Sequence, residues 1–275
     1  MRQEESIRTQ EPGRPWRRVL AALDRLIAPL AVFVALYIAA LSLLLPYVQY
    51  VQWTALVSVV LATATTIALW DRGRWGLGFF VPPPLALREA AGGVGVAVLL
   101  VGGAALLVVL TTGMRHHAGS GFPAGELLAT FLPAALHEEL LFRGYPFQRL
   151  WRWKPWLAVT GVSAAFAALH GWNTAVTPLA LVNIFLGGVL LSLAYARYER
   201  LWFPIGLHFG WNVMSGPVLG YPVSGYAPAT SVLTVEGRGP EILTGGGFGI
   251  EGSAWMTVVE VAAIAILARR VGRNS

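Results

Sequence analysis

The sequence has no cysteine and one lysine, Lys154, among its 20 Lys and Arg residues, and charged residues make up only 12% of it. The missing cysteine excludes disulfides, thiolate chemistry and cysteine-ligated metal sites, while leaving sites built from His and Glu open. The scarcity of charge removes the ordinary soluble class. Of the 275 residues 56% are hydrophobic, and the mean hydropathy of +0.61 places the chain among polytopic membrane proteins, with the lipid bilayer as its first partner. The formal charge of +6 is spread over short loops and termini without a stripe or a reading motif, so no nucleic-acid partner is expected. Arginine in place of lysine, with abundant Ala and Gly, fits a GC-rich genome and a bacterial source.

A helical span needs roughly 20 mostly apolar residues. Hydrophobic runs predict eight: Leu26–Tyr47, Gln52–Trp70, Ala90–Thr112, Ala124–Leu150, Trp156–His170, Pro178–Ala196, Leu201–Leu219 and Ser253–Ala268. No small-residue cleavage site follows the first run, which therefore reads as an uncleaved span. Before it, Met1 to Asp24 is arginine-rich and broken by Pro12 and Pro15, as expected of a mobile tail. Asp71–Glu89, with Gly76, Gly78 and Pro82 to Pro84, reads as an interfacial segment too broken to cross. The seventh span is short and carries Gly206, Gly210 and Gly216, marks of a helix buried among others. Gly220–Gly252, rich in Gly, Pro, Ser and Thr, reads as an outer loop that is mobile or partly covers the bundle.

Loop charge supports this count. Arg14, Arg17, Arg18, Arg72, Arg74, Arg88, Arg149, Arg152, Lys154, Arg197, Arg200, Arg269, Arg270 and Arg273 fall on one side, and only Arg115 and Arg238 on the other. By the excess of positive charge in cytoplasmic loops both termini are inside. Trp53, Trp70, Trp75, Trp151, Trp153, Trp156, Trp172, Trp202 and Trp255 lie near expected helix ends, as an aromatic belt would. The expected architecture is an all-α transmembrane bundle of about eight spans. A cytoplasmic tail at 1–25 precedes a single transmembrane domain at 26–268, and a second tail follows at 269–275.

Against this apolar background, three polar groupings stand out: Glu138-Glu139 with Arg143, Phe166 with His170, and His208 with Asn212. Ionisable side chains inside a membrane are expensive and mark functional sites by default. Residues four apart share a helix face, so Glu139 pairs with Arg143, and His208 stands beside Asn212. Glu138 points about 100° away from Glu139, so one acid is tied to a cation while the other is free to face a cavity. A free carboxylate in a low-dielectric bundle suits a general base that takes a proton from water. At 1.5 Å per residue, Glu138 sits roughly 18 Å and His170 roughly 21 Å above the inner ends of their spans, and His208 roughly 10 Å, which allows convergence in the middle to cytoplasmic half. His137 is expected to be structural, His116 and His117 to be solvated, and Asn173 and Asn183 to serve helix ends and packing. Glu260 is a lone acid in the last span, expected to pair with a polar group elsewhere in the bundle.

The pattern Glu-Glu-x-x-x-Arg, Phe-x-x-x-His and His-x-x-x-Asn on successive helices resembles the CAAX prenyl endopeptidase type II family and its bacterial relatives, the CPBP (CAAX proteases and bacteriocin-processing) group. All three motifs match without substitution, over 124–219. The resemblance implies hydrolysis of a peptide bond in a membrane-associated protein or peptide. In it Glu138 and His170 activate a water, and His208 and Asn212 stabilise the oxyanion. Glu139 and Arg143 form a supporting pair, and Phe166 shapes the cavity. No cofactor is expected on this reading. The alternative is a zinc site on Glu138, His170 and His208, since two His and one Glu make a legitimate catalytic set. A non-enzymatic scaffold or bacteriocin-immunity protein of the same family and a proton-coupled transporter are the competing functions.

Overall fold

The structure, a computed structural model, describes residues 15–47, 50–72 and 76–271, with backbone alone for 15–24 and 271. Most of the expected N-terminal tail, and with it Arg14, lies outside the described residues, as do Arg74, Trp75 and Arg273. Helices α1 (Pro15–Leu44) and α2 (Val51–Trp70) form a hairpin, followed by α3 (Pro83–Thr111) and a short strand β1 (Arg115–Ala118). Next comes α4 (Ala124–Glu126), which runs through a π-helical stretch (Leu127–Phe131) into α5 (Leu132–Phe142). After α6 (Tyr145–Trp153), α7 (Pro155–Leu169) tightens into a 3₁₀ turn (His170–Trp172). α8 (Pro178–Tyr198) leads to α9 (Trp202–Val213), which a π-helical turn (Met214–Val218) extends. The chain closes with β2 (Leu233–Glu236), α10 (Glu241–Thr244) and α11 (Ala254–Val271). β2 pairs antiparallel with β1, from Arg115 opposite Glu236 to Ala118 opposite Leu233.

Four stretches are long and apolar enough to cross a membrane: Arg25–Tyr47, Val51–Trp70, Pro83–Thr111 and Pro178–Tyr198. The chain is a helical integral membrane protein. The helices that carry the other expected spans are shorter or bear more charge.

Three boundaries depart from the sequence reading, each with proline in a decisive place. α1 starts at Pro15, inside the expected tail, and α3 starts at Pro83, inside the segment read as broken. In both cases proline sits in the first turn, where its missing N–H costs nothing and its fixed φ favours the helix. The fourth expected span is two helices. It breaks at Arg143 and Gly144 because Pro146 has no N–H to continue the ladder. Gly144 fits the break through its lack of a side chain, since a Cβ there would stand 2.1 Å from the Leu140 carbonyl oxygen.

Buried apolar residues form two clusters, one centred on α1, α2, α5, α6 and α7, the other on α3 and α11, with α8 and α9 contributing to both. The seam between them is where the polar motifs lie. α9 reaches it by packing backbone to backbone on α3. A Cβ on Gly206 would stand 2.1 Å from the Ala90 carbonyl oxygen, and one on Gly210 would stand 2.8 Å from Val94 Cα. Small residues four apart are the standard means of close helix approach in lipid, where apolar surface alone gives little drive for association.

Candidate functional site

Glu139 and Arg143 are both fully buried and form the expected pair, Nη1 to Oε1 at 3.1 Å. The order, Glu one turn before Arg, is the favourable one, and Arg143 caps the C-terminus of α5, where a cation meets the negative end of the helix dipole. Its other arm donates from Nη2 to the Gly188 carbonyl on α8 at 2.9 Å. That carbonyl is within reach because α7 and α8 touch closely, and a Cβ on Gly188 would stand 2.9 Å from Ser163 Cβ.

The same Glu139 oxygen lies 2.8 Å from Nδ1 of His208. A carboxylate accepts, so Nδ1 carries a proton, and Nε2 is turned toward Oε2 of Glu138, 3.7 Å away. The pair therefore holds α5, α8 and α9 in one arrangement and fixes the His208 ring. Sequence spacing alone left out this cross-helix bond, because a periodicity argument sees only neighbours on the same helix.

His170 is fixed differently. Where α7 tightens, the His170 backbone N–H bonds to Ala167 and Ala168 instead of Phe166. The Phe166 carbonyl is taken up by the His170 ring, Nδ1 at 2.8 Å. A carbonyl can only accept, so Nδ1 donates, and Nε2 is the lone-pair nitrogen of the neutral ring. Among the described residues no ion pair joins His170 to either glutamate; the two meet only as walls of one cavity.

Phe166 does more than fill space. Its ring lies 4.9 Å from the Arg143 guanidinium carbon, edge-on to Phe142 at 5.0 Å and 4.6 Å from the His170 ring. A desolvated cation over an aromatic face is worth about 0.5–2 kcal/mol, so the second motif is joined to the first through this contact. His137 faces away, as expected, and is bonded at Nε2 to the Tyr37 hydroxyl of α1 at 2.8 Å.

Glu138, His170, His208 and Asn212 share a cavity of about 670 Å³, within the range of small-molecule and peptide sites. It extends past them to the bundle end formed by Tyr50, Trp172, Asn173 and the loop residues Val223 to Tyr226. These residues lie in the segments that carry few arginines. The loop at 220–252 does cover the bundle. Its Ser224 backbone N–H and hydroxyl donate to Oε2 of Glu251, whose Oε1 accepts from Trp211 Nε1 at 2.9 Å. Tyr226 donates to Glu126, and Asn173 donates to the Ser224 carbonyl at 3.0 Å. The Glu126 contact holds the Tyr226 hydroxyl proton and raises its pKa to about 12. Asn173 and Asn183 both line the cavity in addition to their packing roles. Glu251, Trp211 and Tyr226 were not singled out by the sequence, where no motif or period marks them.

The arrangement offers a carboxylate open to a cavity, two ring nitrogens in fixed orientation and one amide. Among the described residues no three His, Asp or Glu side chains are gathered so as to hold a metal ion. Comparison with curated proteins and with solved structures gives no match. Residues 120–214, which contain all three motifs, match the model of the family described as type II CAAX prenyl endopeptidase, Rce1-like. Across that segment the chain is similar to the Rce1-like type II CAAX prenyl endopeptidase family.

Proposed function

We propose that the chain is an intramembrane endopeptidase that cuts a membrane-associated protein or peptide with a water activated by Glu138. The observation that carries this reading is the division of labour between adjacent acids. Glu139 is spent on Arg143 and His208, while Glu138 faces the cavity without a hydrogen bond among the described residues, beside His208 Nε2 at 3.7 Å. In the reaction Glu138 takes a proton from water as the oxygen attacks the scissile carbonyl, with His170 Nε2 accepting from the same water to aim it. The oxyanion receives Nδ2–H of Asn212 and, with His208 as imidazolium, Nε2–H. Glu138 then returns the proton to the departing amine. Donors aimed at developing charge are worth about 2.7–4 kcal/mol each in such sites.

This reading is preferred to zinc on Glu138, His170 and His208. Asn212 suits an oxyanion better than a zinc shell. The eight-span count with both termini cytoplasmic, in a bacterial cytoplasmic membrane, belongs to the same reading and is supported by loop charge. The test is Glu138→Gln, compared with wild type for the membrane and secreted proteins that cells process, alongside metal analysis of purified protein. Cleavage should be lost with membrane expression intact. Full activity of the variant overturns the proposal, and a phenotype that survives Glu138→Ala points to the scaffold or immunity role.

A further inference from the structure

Glu260 stands on α11, outside the segment matched to the family, and is only 2% exposed. Its carboxylate lies against Gly187 of α8, where a Cβ would come within 3.2 Å of Oε1, so the missing side chain makes room for it. Oε2 has no hydrogen-bond partner among the described residues. The residue lines the same cavity as Glu138, His208 and Asn212. Its polar neighbours on that wall are already occupied. Glu251 accepts from Trp211 and from Ser224, and Asn183 donates to the Glu251 and Ser253 carbonyls while accepting from Thr257. Glu260 keeps unspent acceptor capacity.

A buried carboxylate is costly unless a cation or donors meet it. The residues lining the cavity include three glutamates and no lysine or arginine. Among the described residues Oε2 of Glu260 finds no polar partner on the cavity walls, and an occupant of the cavity would supply one. We propose that Glu260 forms a substrate subsite for a cationic hydrogen-bond donor, an ammonium or guanidinium on a side chain of the bound peptide. That the occupant is a peptide rests on the peptidase reading; that it brings a cation rests on the wall itself. The occupied Glu251 beside it keeps the potential negative and its own geometry fixed, so the selective contact belongs to Glu260.

The test uses the full chain in nanodiscs and two probes of equal length, dodecylammonium and dodecanol, with binding read by thermal shift and tryptophan fluorescence. Wild type should bind the ammonium better than the alcohol, and Glu260→Gln should lose roughly tenfold or more of the ammonium affinity while keeping that for the alcohol. Gly187→Ala, which presses a methyl group on Oε1 without removing the charge, should weaken ammonium binding too. Unchanged ammonium affinity in both variants overturns the subsite. If Glu138→Gln abolishes cleavage while Glu260→Gln binds ammonium normally, the subsite fails and the peptidase reading stands. If Glu138→Gln cleaves normally while Glu260→Gln loses ammonium binding, the reverse holds.

Discussion

His208 Nδ1 lies 2.8 Å from Oε1 of Glu139, the oxygen that also receives the Arg143 guanidinium. One buried carboxylate thus holds a structural cation and orients a ring that faces the cavity. Its removal should therefore affect fold and chemistry together. Glu139→Ala strands the Arg143 charge in the bundle and should cost about 3–5 kcal/mol, the usual penalty for breaking a buried pair. Melting of the detergent-solubilised protein measures it, and a wild-type melting temperature would show that the pair carries no such load. Glu139→Gln leaves an acceptor for His208 and should melt closer to wild type.

Asn212 rides one turn after His208 on the same buried face of α9 and lines the cavity. If its amide donates to an oxyanion that exists only in the transition state, Asn212→Ala should lower kcat by about 10²–10³ with KM little changed. A rise in KM at constant kcat would instead assign Asn212 to ground-state binding.

The helical architecture is legible in the sequence because apolar runs mark the long helices, and a four-residue step places Glu139 beside Arg143. What stayed hidden depends on tertiary meeting. The His208 to Glu139 bond joins α9 to α5, the Arg143 to Phe166 contact joins α5 to α7, and Glu251 reaches Trp211 from a loop without regular structure. The helix starts at Pro15 and Pro83 run against the sequence reading because proline, a breaker inside a helix, is a starter in its first turn.

Close approach of α3 and α9 positions His208 and Asn212, and the obstacle to a side chain at Gly206 is backbone, which has little room to yield. Gly206→Ala would place a methyl group 2.1 Å from the Ala90 carbonyl oxygen. The helices must separate, at a cost of about 1–3 kcal/mol for such overpacking. Cleavage should fall in the same variant because both donors move with α9. Gly95→Ala, on α3 with nothing within 4 Å of the added Cβ, is the matched control and should melt at or slightly above the wild-type temperature. Equal melting of the two variants would remove the packing argument.

In the loop after α3, His116 of β1 is half-buried with its ring edge-on to Tyr221 at 5.5 Å, and its Nε2 has no hydrogen-bond partner among the described residues. Burial first, and the neighbouring His117 second, lower its pKa below the ordinary 6.5. The unfolded strand binds the proton more readily than the folded one, so the stabilisation is complete above 6.5 and is lost as pH falls through the lower folded value. The exposed pair of His117 and Glu236, 4.0 Å apart across the β1–β2 ladder, is too screened to offset this. Backbone amides of residues 115–118 and 233–236 should therefore exchange faster, relative to the helical core, as pH is lowered below about 6.5 after correction for intrinsic rates. His116→Gln should flatten that dependence, and an unaltered profile in the variant would assign it to another group.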